Sequence, residues 1–112
     1  MNDNAKTWVE ALRSGKYKQG TGQLRYEEEF CCLGVACDLY DASRWETDKD
    51  GELTFMDEMS VLPIKVMDWL GLEYDDGAFN GDDNSLVTMN DRGKTFNDIA
   101  DIIESEPQGL FV

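Results

Sequence analysis

Three features of the amino-acid sequence point to an α+β fold of about four short helices packed on one or two short antiparallel β-hairpins. Apolar residues recur at helical spacing in separate short stretches, Asp50-Gly51 lies between two strand-like runs, and polar runs punctuated by glycine divide the elements. A chain of 112 residues buries enough surface for one core and leaves little for a second, so residues 1–112 read as a single compact domain.

The first helix starts at Asp3 or Asn4 as N-cap and carries Ala5, Trp8, Val9 and Leu12 on one stripe, with Gly15 as its stop. Residues 16–23 are polar, basic and glycine-rich, which predicts a loop. Leu24 and Tyr26 alternate before Glu27-Glu28-Glu29 and Phe30, as in a hairpin with a polar tip. A second helix is expected from about Cys32 to Tyr40. Gly34 inside it costs about 1 kcal/mol relative to alanine, so its presence there suggests close packing against another backbone.

Trp45-Glu46-Thr47 and Leu53-Thr54-Phe55-Met56 flank Asp48 to Gly51 and predict a second hairpin. Pro63 suits the first turn of a third helix, along which Ile64, Met67 and Leu70 lead to a stop at Gly71. Residues 73–85 lack periodicity and predict an exposed loop around Phe79, and Leu86 to Met89 a short element. Thr95 with Asp98 resembles a capping box ahead of the stripe Phe96, Ile99, Ala100 and Ile103. The apolar tail, Leu110 to Val112, is expected to pack back on the domain or to meet a partner.

Composition excludes several chemistries. There is no histidine, which removes Ser-His-Asp and Cys-His catalysis, histidine relays and most catalytic zinc sites. Cys31, Cys32 and Cys37 are odd in number, crowded and set in an apolar run, so they read as reduced core thiols. No stretch approaches the ~20 apolar residues that cross a bilayer, and Met1 to Asn4 lacks the layout of a secretory signal, so a soluble cytoplasmic protein is expected.

The formal charge of −14 is unevenly spread. Residues 1–44 hold six basic and seven acidic side chains, while residues 45–112 hold four basic and seventeen acidic. A surface so anionic repels phosphate backbones, so direct nucleic-acid binding is not expected, whereas a basic protein partner is.

Two segments carry candidate ligands. Glu46 to Asp57 overlays the twelve-residue calcium loop, with Asp48, Asp50 and Asp57 among its oxygen donors and Gly51 at the turn; an Asp-Gly hairpin on an acidic surface is the competing reading. No other cofactor is expected. The loop 15–25 concentrates positive charge. Lys16, Lys18 and Arg25, with amides exposed by Gly20 and Gly22, would cradle a small anion such as a nucleotide phosphate while Tyr17 stacks on a base.

Trp8 to Tyr17, Phe30 to Val35, Leu62-Pro63 with Trp69 to Leu72, Met89-Asn90-Asp91 and Phe96 to Glu104 occur in an order that resembles a family of small uncharacterised proteins encoded by tailed bacteriophages. The resemblance implies a phage accessory protein acting in the host cytoplasm and transfers no catalytic residue. Charge and context together give the expectation of a non-enzymatic acidic protein that binds, and inhibits, a basic host protein of defence or nucleic-acid processing. The alternative is a small-ligand or nucleotide-sequestering protein that uses residues 15–25.

Overall fold

The computed structural model describes residues 1–81 and 84–112. Its first helix, α1 (Asp3–Arg13), buries Ala5, Trp8, Val9 and Leu12 as the stripe predicts. The cap is Asn2, one residue earlier than expected, because its Oδ1 accepts the Ala5 amide at 2.8 Å.

Beyond Gly15 the chain forms β1 (Lys18–Gln19), then β2 (Arg25–Tyr26) and β3 (Glu29–Phe30). The last two are the expected hairpin, with Arg25 opposite Phe30. The expected loop 16–23 is partly wrong, since β1 runs parallel to β3 and completes a sheet of order β1-β3-β2. A strand of two residues has no period to read. The Gly20 amide extends it by donating to the Phe30 carbonyl at 2.8 Å.

Helix α2 (Cys32–Asp41) is the centre of the molecule, and Cys32 to Cys37 are all buried. Its interior glycine answers to the expected close approach: a Cβ on Gly34 would lie 1.8 Å from the Leu24 carbonyl oxygen. A short 3-10 turn (Ala42–Arg44) leads into the hairpin of β4 (Trp45–Thr47) and β5 (Leu53–Phe55), paired with Glu46 opposite Thr54.

Helix α3 (Ile64–Leu70) ends at Gly71 in the left-handed conformation, as predicted. Of its expected face Leu70 is buried and Met67 packs half-buried on the core, but Ile64 is 70% exposed. Val66, and Leu62 ahead of the helix, point inward in its place. The stretch 73–85 also departs from expectation, because β6 (Ala78–Phe79) pairs with β7 (Asn84–Ser85) and Phe79 is buried. Residues 82 and 83 of that predicted loop lie outside the described residues. The short element at Leu86 is helix α4 (Leu86–Asp91), and α5 (Phe96–Glu104) carries the full capping box of Thr95 and Asp98. Leu110 is buried and Phe111 bridges to Leu72, so the tail packs on the domain up to its last, exposed residue.

Polar bonds join these elements inside the core. The Trp8 indole donates to the Cys32 carbonyl at 2.9 Å. Asn90, on α4 and wholly buried, accepts the Cys32 amide at 3.1 Å and the Gln19 carboxamide at 2.9 Å, and donates to the Gly20 carbonyl at 2.8 Å. No buried side-chain nitrogen or oxygen among the described residues lacks a partner.

Two substitutions test this arrangement. Gly34→Ala forces α2 away from Leu24 and is expected to lower unfolding free energy by about 3 kcal/mol, read from a reduced denaturant midpoint. Asn90→Ala strands the Cys32 amide and the Gly20 carbonyl and is expected to cost a similar ~3 kcal/mol; a loss under ~1 kcal/mol would show that the buried network is dispensable.

Candidate functional site

The six residues of the proposed anion cradle do not converge. Lys16 and Tyr17 border a groove of about 460 Å³ with Glu10, Ala11, Ser14 and Leu39. The Tyr17 ring stands edge-on to Phe30, and its hydroxyl donates to Asp38 Oδ2 at 2.7 Å. Asp38 also accepts the Trp45 indole at 3.0 Å, so it ties the basic loop to the second hairpin. Lys18 pairs with Glu29 at 3.6 Å.

The two glycine amides are occupied. That of Gly20 lies in the sheet, and that of Gly22 donates to Asp91 Oδ1 at 3.0 Å, so a carboxylate of the chain itself fills the place of an incoming anion. Arg25 is turned inward. Its guanidinium sits 4.9 Å from the Phe30 ring centre and 5.4 Å from that of Trp45, pairs with Glu28, and donates through Nε to the Glu27 carbonyl.

The segment with the calcium-loop pattern is the hairpin of β4 and β5. Asp48 Oδ1 accepts the amides of Asp50 and Glu52, each at 2.9 Å, which uses the carboxylate to close the turn. Asp57 lies past the end of β5 in a second tight turn, where Met56 and Asp57 both have positive φ. Asp48, Asp50 and Asp57 thus lie in two successive turns of the chain, Asp48 and Asp50 in the first and Asp57 in the second. Among the described residues no group of three or more acidic or cysteine side chains is placed to hold a metal ion.

The three cysteines are buried and unbridged, as expected. Cys31 caps α2, its sulfur accepting the Gly34 amide at 3.4 Å, and the Cys32 thiol reaches the Leu86 carbonyl at 3.6 Å. Burial pushes the Cys31 thiol up to about 11 and raises those of Cys32 and Cys37 as well. Burial and the bond to Asp38 push the Tyr17 hydroxyl up to about 12.

Surface charge is organised by where the cations go. Arg13 bridges Asp101 and Glu104 on α5, Arg25 takes Glu28, Arg44 takes Asp41, and the amino terminus takes Glu106. Among the described residues, no carboxylate from Glu46 to Asp98 takes part in an ion pair with the chain's own cations. Several of these acids line the exposed hairpin, namely Glu46, Asp48, Asp50 and Glu52. Beside it stands the β2–β3 turn with Glu27, across a groove of about 310 Å³ bordered by Tyr26, Glu27, Thr47, Gly51, Glu52 and Leu53.

Sequence patterning did not single out Asn90, Gln19 or Asp38 for these positions. Each is one polar residue with a partner far along the chain, and such pairings leave no periodic trace. No helix among the described residues is long and apolar enough to cross a membrane.

A family model described as "Domain of unknown function (DUF8296)" matches residues 1–107, and the chain belongs to that family. No curated protein and no solved structure matches it at a significant level.

The half-buried Tyr17 hydroxyl and the buried thiols set an alkaline limit. In the unfolded chain cysteine releases its proton at about 8.5 and tyrosine at about 10, whereas the folded chain retains both to higher pH. The native state therefore binds more protons across that window. Its stability is full below about pH 8 and falls as pH rises through the folded values. The urea midpoint is expected to hold between about pH 7 and 8 and to decline steadily from about pH 9, and a flat profile would contradict the assignment.

Proposed function

We propose that this member of the DUF8296 family is a non-enzymatic accessory protein that binds a basic host protein through the acidic part between Trp45 and Glu106. The observation that carries the reading is the set of carboxylates from Glu46 to Asp98 that, among the described residues, form no ion pair with the chain's own cations. Carboxylates of one sign held on a folded surface repel one another, and a cationic surface relieves that repulsion as it docks. The same field disfavours nucleic acid. The bacteriophage resemblance of the sequence supports a place of action in a bacterial cytoplasm, and the charge pattern suits inhibition of a defence or nucleic-acid-processing protein by occupation of its basic channel.

A small anion is the weaker alternative. Lys16 and Tyr17 do face a groove, but Glu10 borders it too, and the Gly20 and Gly22 amides already have acceptors.

Immobilised protein exposed to bacterial lysate at about 50 mM salt is expected to retain proteins of high isoelectric point and to release most of them by about 0.5 M, as the Debye length shortens. Retention that does not change with salt would overturn the electrostatic reading. A nucleotide that raises the melting temperature while lysate proteins fail to bind would favour the alternative.

A further inference from the structure

Within the acidic surface, the groove between the two hairpins has a chemistry of its own. One wall is the β2–β3 turn, where Glu27 sits at φ 53° and Tyr26 is 57% exposed. The other is the β4–β5 hairpin, with Thr47 opposite Leu53 and with Gly51 and Glu52 at its tip. Leu53 is half-buried and offers an apolar floor. Arg25 is engaged by Glu28, by the Glu27 carbonyl and by two aromatic rings, and it does not border the groove. Neither Glu27 nor Glu52 forms an ion pair among the described residues. Two other grooves border on cations of the chain, Lys6 with Arg13 in one and Lys16 in the other.

We propose that this groove seats an arginine or lysine side chain of the basic partner, its methylene stem on Leu53 and the Tyr26 ring and its cationic head between Glu27 and Glu52. A long cationic side chain needs an apolar track for its stem and acceptors at the end of that track, and an aromatic face adds attraction for the head. All three occur together here. The proposal rests on the electrostatic reading above and goes further by assigning the contact to one place.

The probe is fluorescein-labelled hexa-arginine, followed by anisotropy at about 50 mM salt. Glu27→Gln with Glu52→Gln is expected to weaken binding about tenfold, and Tyr26→Ala, which leaves the charge unchanged, about fivefold. The control pair Glu73→Gln with Asp75→Gln removes the same charge from another exposed segment and is expected to change binding less than about twofold. An unchanged melting temperature in each variant establishes that folding is intact. Equal weakening by the two pairs, with no effect of Tyr26→Ala, would overturn the groove and leave the acidic surface standing. No binding of hexa-arginine to the unsubstituted protein would overturn both.

Discussion

The Asn90 carboxamide is the point on which the interior depends. It is sealed from solvent, so each of its hydrogen-bonding groups must find a partner in the protein or cost most of its hydration energy. The partners come from two segments that are remote in sequence: Gln19 and Gly20 of the basic loop, and Cys32 at the start of α2. Satisfying Asn90 therefore sets the loop, α2 and α4 in one mutual position. Gln19 carries the constraint onward, donating to the Lys94 carbonyl and accepting the Phe96 amide at the first turn of α5. A polar network of this kind specifies one arrangement, because any alternative leaves several buried groups without partners.

That arrangement explains the fate of the glycine-rich loop. Its positive charge and small residues have the composition of an anion cradle, yet the same features serve internal contacts. Gly20 lacks a Cβ because one would stand 2.8 Å from that of Glu29, and Gly22 offers its amide to Asp91, the neighbour of Asn90. Gly34 tells the same story at the Leu24 carbonyl, where backbone meets backbone. Here the sequence was informative, since a glycine inside an apolar helical stripe signals a close neighbour. It does not say which neighbour.

Legibility follows the range of the forces involved. The capping box at Thr95, the Asp-Gly hairpin, the stripe of α1 and the left-handed stop at Gly71 arise from contacts within a few residues, and all could be read directly. The misreadings arise where distant contacts decide. Ile64 and Leu62 are equally apolar, and only the position of α3 against α2 and the chain around it makes Leu62 the inward one. Phe79 looked like the centre of an exposed loop, because strands of two residues carry no alternation and their pairing is set by the surrounding chain. The calcium pattern does not bring its carboxylates together in this hairpin, where Asp48 instead accepts the amides of the Asp-Gly turn. The candidate surface was legible as charge after Trp45 but not as shape, since its groove also needs Tyr26 and Glu27 from the nearly neutral part of the chain.

An exposed acidic hairpin would be a poor docking element if it moved freely, for ordering it would consume much of the binding energy. This one is held at its base by aromatic packing. Tyr17, Phe30, Trp45, Phe55, Tyr40 and Trp69 meet edge to face in a continuous row, with ring centres 5.0 to 6.4 Å apart, and Trp45 and Phe55 are the cross-strand pair that closes the hairpin. Edge-to-face pairs of this kind add about 0.5–1.5 kcal/mol each beyond their buried area. The row is joined to the β2–β3 turn by Arg25, which stacks on Phe30 and Trp45 and donates through its Nε to the Glu27 carbonyl. Rings from both parts of the chain thus supply rigidity, and the acidic side chains supply charge on a support that is already in place. Such division lets the outer carboxylates carry strong mutual repulsion without loosening the hairpin, since the restraint comes from rings and not from ion pairs.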